Sequence, residues 1–134
     1  MKYGCAILAD IHHNMLEGLR GLLESTFSTV VMVADLNSLH AAVNKIHPDL
    51  VVVDLSMATK CGANIAVKIK ELHPELRFIV LSVHDDKAVA KKVLDAGSLG
   101  YVLKRSTATD LLPAIDSAMK GEKYISPDLC YEIQ

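Results

Sequence analysis

The sequence predicts an α/β fold in which a parallel sheet of five strands is covered by helices on both faces. Short continuous apolar runs such as Leu50–Val53 alternate with longer segments whose apolar residues recur at helical spacing. Strands that are buried on both faces read as continuous apolar runs, and helical crossovers connect parallel strands. The alternation occurs five times within 134 residues, a length that fits one domain.

The first half of the chain contains three predicted strands joined by two predicted helices. The strands are predicted at 5–9, 29–33 and 50–53, and the helices at 13–25 and 37–46. Four leucines of the first helix recur at a spacing that places them on one face, which is typical of a helix packed on a sheet. Asn37 or Ser38 is expected to cap the second helix, and Pro48 prevents its continuation.

The second half contains three predicted helices and two predicted strands. The helices are predicted at 62–72, 86–96 and 107–120, and the strands at 77–82 and 100–103. Pro74 stops the third helix, while Gly97 and Gly121 stand just beyond the fourth and fifth, where a left-handed residue commonly ends a helix. The last helix is expected to turn Leu111, Leu112, Ile115 and Met119 toward the core.

Two aspartates follow two of the apolar strands. Asp10 ends the first strand and Asp54 ends the third. Sites in doubly wound sheets lie outside the carboxyl ends of the strands, at the point where the strand order reverses. By analogy with flavodoxin-like proteins of order 2-1-3-4-5, that point falls between strands 1 and 3. The two carboxylates are therefore expected to meet there, where they could hold a hard cation and receive a phosphoryl group.

These residues belong to a wider set that resembles a known family. The set is Asp10, Asp54-Leu55-Ser56-Met57 with Gly62, Ser82, and Gly100-Tyr101-Val102-Leu103-Lys104. In this order and at these strand ends, the chain resembles the receiver domain of bacterial two-component response regulators over residues from about 4 to 127. Segments 94–104 and 121–127 resemble the subfamily whose receiver is fused to a LuxR/NarL-type helix-turn-helix DNA-binding domain.

The resemblance implies a phosphorylation site and a metal site. Asp54 is the expected acceptor of a phosphoryl group from a sensor histidine kinase in a phosphorelay. Mg²⁺ is the expected cofactor, held by Asp10, Asp54 and the backbone carbonyl of Ser56. The resemblance implies no enzyme beyond self-phosphorylation from phosphodonors and autodephosphorylation.

The resemblance also implies a switch. Lys104 and Ser82 are expected to bind phosphoryl oxygens, and Tyr101 is expected to swing inward in response. Residues 1–127 would form the receiver, and residues 128–134 would begin a linker to a C-terminal DNA-binding domain. The expected partners are the kinase, a second copy of the chain in a homodimer, and DNA only through that further domain.

Ile11 departs from the family pattern and leaves an alternative open. The family usually has a second acid at this position that binds Mg²⁺ directly, so the resemblance here implies weak or absent Mg²⁺ binding. The alternative is an atypical pseudo-receiver that serves as a protein-interaction module without phosphorylation. Ala58 and Arg105 stand where many members have proline, which are smaller departures.

Composition disfavours several other classes of function. The chain carries 14 Lys and Arg against 16 Asp and Glu, without the basic excess of a nucleic-acid surface. Its apolar runs are too short to span a bilayer, and its N-terminus has no signal-peptide pattern. Three widely spaced cysteines, an odd number, indicate reduced thiols. We therefore expect a cytoplasmic protein without a membrane partner.

Overall fold

The computed structural model describes residues 3–10, 13–55, 63–83 and 86–126. In this part of the chain six parallel strands form one sheet in the order β2-β1-β3-β4-β5-β6. The strands are β1 (Tyr3–Ala9), β2 (Phe27–Val33), β3 (Leu50–Asp54), β4 (Phe78–Ser82), β5 (Gly100–Leu103) and β6 (Tyr124–Ile125). The helices are α1 (His13–Glu24), α2 (Leu36–Ile46), α3 (Ala63–Leu72), α4 (Lys87–Asp95) and α5 (Thr107–Met119).

The order of the first five strands confirms the predicted doubly wound fold. The sixth strand was not predicted, because two residues are too few to show a pattern in the sequence. β6 pairs in parallel with β5, with Tyr124 opposite Gly100 and Ile125 opposite Tyr101. It extends the sheet beyond its predicted edge, within the predicted receiver. The predicted linker 128–134 lies outside the described residues.

Two apolar cores lie on opposite faces of the sheet because successive strand residues point in opposite directions. Val51 and Val53 belong to the core under α2, α3 and α4, together with Leu39 and Ile69 from the helices. Val52 belongs to the core under α1 and α5. β3 is therefore buried on both faces, which explains its unbroken apolar sequence.

Two local predictions were wrong. The cap of α2 is Asp35, whose side chain accepts a hydrogen bond from the Ser38 backbone N–H, so neither Asn37 nor Ser38 is the cap. Leu112 is 39% exposed, because the buried face of α5 is centred on Leu111 and Ile115 and a neighbouring residue is turned by about 100° around the helix. Leucine identity alone could not show which of two adjacent leucines points inward.

Candidate functional site

The carboxyl edge of the sheet gathers four of the residues singled out in the sequence. Asp10 directly follows β1, Asp54 and Ser82 end β3 and β4, and Lys104 directly follows β5. The register aligns these ends, with Asp54 opposite Leu81 and Ser82 opposite Leu103. Neighbouring parallel strands thus place the two acids, the hydroxyl and the lysine at one edge.

Lys104 reaches both aspartates. Its ammonium donates a hydrogen bond to Oδ2 of Asp54 and lies 3.8 Å from Oδ2 of Asp10. Asp10 is 0%, Asp54 1% and Lys104 6% exposed. Buried charges are tolerated when they are paired, and Lys104 is a counter-charge that both acids contact. Among these three described side chains, two carboxylates and one ammonium give one net negative charge, which favours an additional cation.

Hydrogen bonds of the backbone fix the positions from which the Asp10 and Lys104 side chains project. The Asp10 N–H donates to the Val33 carbonyl of the neighbouring β2, at 3.1 Å. Lys104 begins a 3₁₀ turn, Lys104–Ser106, between β5 and α5. The Thr107 backbone N–H and its hydroxyl both donate to the Lys104 carbonyl, the hydroxyl at 3.2 Å. Lys104 therefore leaves the sheet in a defined direction toward the two acids.

Ser82 and Tyr101 are both buried. Ser82 is 1% exposed at the end of β4, one strand away from Asp54. Tyr101 is fully buried in the core on the α2, α3 and α4 face, in a cluster that includes Ala90 and Val93 of α4. The tyrosine ring thus already points inward, in the orientation that the sequence predicted as the result of switching.

Two predicted site residues lie outside the described part of the chain. Ile11, the position that lacks the expected acid, directly follows Asp10, and Ser56, whose carbonyl was predicted to bind the metal, follows Leu55. Their roles stay predictions.

The described donors fit a hard divalent cation. Asp10 and Asp54 offer carboxylate oxygens, the ligand type that Mg²⁺ prefers. Within 3–10, 13–55, 63–83 and 86–126, no group of three or more His, Cys, Asp or Glu side chains is placed to hold a metal ion. Among the described residues, Asp10 and Asp54 are therefore the side chains that would hold such an ion.

Ser126 was not predicted from the sequence as a site residue. It joins the segment after α5 to β5, the strand that precedes Lys104, through two hydrogen bonds. The Leu103 N–H donates to the Ser126 hydroxyl at 3.0 Å, and the Ser126 N–H donates to the Tyr101 carbonyl at 3.0 Å. Ser126 is fully buried. A serine directly before Pro127 reads as a turn residue in the sequence, and its partners lie more than twenty residues earlier.

A doubly wound sheet with buried acids and a lysine at its switch point defines the general architecture of a phosphoryl- or cation-binding α/β domain. Residues 6–116 match the family model described as the response regulator receiver domain. The chain belongs to this family.

Known relatives extend this result. The chain is 29% identical over 129 residues to the transcriptional regulatory protein DegU of Brevibacillus brevis, covering 95% of this chain and 55% of that protein. A crystal structure of a LuxR-family two-component response regulator from Aurantimonas sp. SI85-9A1 gives a TM-score of 0.87 at 30% identity, covering 96% of this chain and 94% of that one. A second structure is the isolated REC domain of RcsB from Salmonella enterica serovar Typhimurium, solved with the phosphomimetic BeF3-. It gives a TM-score of 0.87 at 30% identity, covering 99% of this chain and 100% of that one.

The curated relatives are longer than this chain, which spans a little over half of their length. Among the described residues, no helix is both long enough and apolar enough to cross a membrane.

Proposed function

We propose that this receiver domain accepts a phosphoryl group on Asp54 from a sensor histidine kinase. The observation that carries the proposal is the buried Asp54 carboxylate at the switch point, with the Lys104 ammonium on one of its oxygens and Asp10 beside it. The related RcsB structure with a phosphomimetic supports the same chemistry by analogy.

The proposed transfer is a single displacement at phosphorus. A carboxylate oxygen of Asp54 attacks the phosphorus of a phosphohistidine, a P–O bond forms, the P–N bond breaks, and its electron pair returns to the imidazole. The ammonium of Lys104 moves from the Asp54 carboxylate to a phosphoryl oxygen, where it stabilises the transferred group. The Ser82 hydroxyl donates a hydrogen bond to another phosphoryl oxygen.

Asp10 and Asp54 would hold Mg²⁺, with Ser56 as the third protein ligand. When bound, this ion neutralises negative charge that builds up on the phosphoryl oxygens. Lys104 supplies one positive charge to Asp10 and Asp54, so these three described side chains carry one net negative charge. A second acid at position 11 would raise this to two negative charges and attract the metal ion more strongly.

The proposed output is a change in the face formed by α4, β5 and α5. Ser82 and Tyr101 lie on adjacent strands, and Tyr101 packs against α4, so movement of Ser82 toward a phosphoryl group alters the packing beneath that helix. We propose that this face controls homodimerisation. DNA binding would belong to a further domain after the linker at 128–134, in a cytoplasmic protein. The relative DegU is named a transcriptional regulatory protein, which supports a role in transcription.

Ile11 favours a second candidate function. A pseudo-receiver would keep the fold and the Lys104–Asp54 pair as a fixed structural contact, and would bind its partner without phosphorylation. The site would then need no metal. Asp54 would stay unphosphorylated and paired with Lys104 at all times.

Acetyl phosphate with Mg²⁺, followed by intact mass measurement, separates the two candidates. The phospho-acceptor proposal expects one added phosphoryl group on the wild-type chain and none on Asp54→Ala. Asp49→Ala is the matched control, since this aspartate precedes β3 at the opposite edge of the sheet, and it should be modified like the wild type. A wild-type chain that stays unmodified while Ile11→Asp is modified would support the pseudo-receiver.

A further inference from the structure

Two histidines meet on the side of the sheet covered by α2 and α3. His40 lies in α2, and His73 directly follows α3, 33 residues later. Nδ1 of His40 lies 3.1 Å from Nε2 of His73, with the rings stacked at a centroid distance of 5.3 Å and an interplanar angle of 28°. Both side chains are partly exposed, so the pair is accessible from solvent. No part of the proposed phosphoryl chemistry uses it.

We propose that His40 and His73 form a two-histidine binding site for a divalent transition-metal ion of the Zn²⁺ or Cu²⁺ class. Imidazole nitrogens bind such ions at about 2.0–2.1 Å. Two nitrogens on one ion at these bond lengths lie about 2.9 Å apart at a right angle and about 3.4 Å apart at the tetrahedral angle. The observed 3.1 Å lies between these values.

The protonation state of the pair suits a metal ligand. Burial lowers the pKa of both imidazoles, and for His40 the nearby His73 and Lys68 lower it further. Neutral imidazole is the form that binds metal. In the neutral pair one ring donates its N–H to the other ring. Moving that proton to the second nitrogen of the same ring frees both facing lone pairs without releasing a proton.

The surroundings leave room for the remaining ligands. His73 lines an open cleft of about 500 Å³ together with Asn44, His47 and Glu75. Since no third His, Cys, Asp or Glu among the described residues completes a metal-binding group with the pair, water would fill the other positions. A site with two protein ligands binds a metal ion with modest affinity. Imidazole nitrogens bind borderline ions such as Cu²⁺ and Zn²⁺ in preference to the hard ion Mg²⁺.

The site is separate from Asp54 in position and in chemistry. His73 precedes β4, whereas Ser82 ends it, so the pair lies toward the other end of that strand. A bound ion would link α2 to the end of α3. A test of metal binding at His40 and His73 is therefore independent of whether Asp54 is phosphorylated.

Titration of the intact chain with Cu²⁺ and with Zn²⁺ tests the proposal, using calorimetry and, for Cu²⁺, the nitrogen splitting of the electron paramagnetic resonance spectrum. We expect one ion at this site, a spectrum with two imidazole nitrogens, and tighter binding of Cu²⁺ than of Zn²⁺. His40→Gln and His73→Gln keep polar side chains at the pair, and each should weaken binding at least tenfold. The double variant measures binding by the other histidines.

His47→Asn is the matched control. This exposed histidine lies near the pair and adopts a left-handed backbone conformation, φ 54°, which asparagine tolerates. It should keep wild-type affinity and the wild-type spectrum. The proposal is overturned if His40→Gln and His73→Gln bind as tightly as the wild type. It is equally overturned if the wild-type spectrum shows fewer than two imidazole nitrogens, a result that needs no variant to fold.

Discussion

The ammonium of Lys104 donates a hydrogen bond to the carboxylate of Asp54, a residue fifty positions earlier in the chain, and both side chains are buried. The charge of Asp54 is thus neutralised by the protein itself. For Asp54 to accept a phosphoryl group, the Lys104 ammonium must move from the carboxylate to the new phosphoryl oxygens. The same contact therefore bears on stability and on reactivity.

Replacing Lys104 by methionine should destabilise the domain strongly. Asp10 and Asp54 would then lose the buried ammonium that both of them contact, and loss of one partner from a buried ion pair costs about 3–5 kcal/mol. We expect the free energy of unfolding of Lys104→Met, measured by urea titration in metal-free buffer, to fall by an amount in this range. Added Mg²⁺ should restore part of the loss.

Lys120→Met is the control for this experiment. Its ammonium lies 3.3 Å from Asp116 in a largely exposed pair, where solvent screens the charges. Its stability should stay close to that of the wild type. Similar small changes in both variants would show that the Lys104 pair contributes nothing beyond a surface contact.

An acid introduced at position 11 should strengthen the proposed metal site. Ile11→Asp adds a carboxylate next to Asp10 and raises the net negative charge of the site, and carboxylate count tunes the affinity of oxygen-ligand sites over orders of magnitude. We expect Mg²⁺ affinity, measured by calorimetry, to rise about tenfold or more. Ile11→Asn adds a neutral oxygen donor at the same place and should raise it far less. Equal affinities for the two variants would contradict the electrostatic explanation.

The sequence predicted the location of the site because strand ends carry a local signal. An apolar run that stops at an acid marks both Asp10 and Asp54, and parallel strands bring such ends to one edge. Gly97 was predicted in the same local way. Its φ of 117° matches the left-handed residue expected after α4.

Other features depend on partners that are distant in sequence, so local patterns could not reveal them. The contact between His40 and His73 depends on how α2 and α3 pack, and neither residue stands in a metal-ligand motif. The strand β6 forms by pairing with the edge of β5. The role of Ser126 depends on the hydrogen bond that its hydroxyl accepts from the Leu103 N–H. Asp35 was missed because α2 begins one residue earlier than its predicted start at Asn37.

Ser126→Ala should destabilise the domain by about 1–3 kcal/mol. The substitution leaves the buried Leu103 N–H without its acceptor, and an unsatisfied buried donor costs free energy in this range. Urea unfolding measures the change. Ser25→Ala removes an exposed hydroxyl that donates to the Leu22 carbonyl and should cost less than about 0.5 kcal/mol. Equal effects would show that water or another group replaces the Ser126 hydroxyl.

Asp35 should make part of the stability depend on pH. Its carboxylate accepts hydrogen bonds from the Ser38 backbone N–H at 2.7 Å and from the Ser38 hydroxyl at 3.0 Å, and these bonds, the backbone bond first, lower its pKa below the ordinary value of 3.8. The folded state therefore favours the charged form. This contribution is complete above the unfolded pKa and is lost as the pH falls through the lowered folded pKa.

Thermal unfolding across a range of pH tests this dependence. Asp35→Ala should lower the midpoint at neutral pH, and its difference from the wild type should stay constant down to about pH 5 and shrink below about pH 4. Asp35→Asn keeps an oxygen acceptor for the cap but cannot ionise. The difference between Asp35→Asn and Asp35→Ala should therefore stay nearly constant with pH, because neither side chain titrates. A wild-type advantage over Asp35→Ala that persists unchanged at pH values near 2 would show that the charge of Asp35 is irrelevant to the cap.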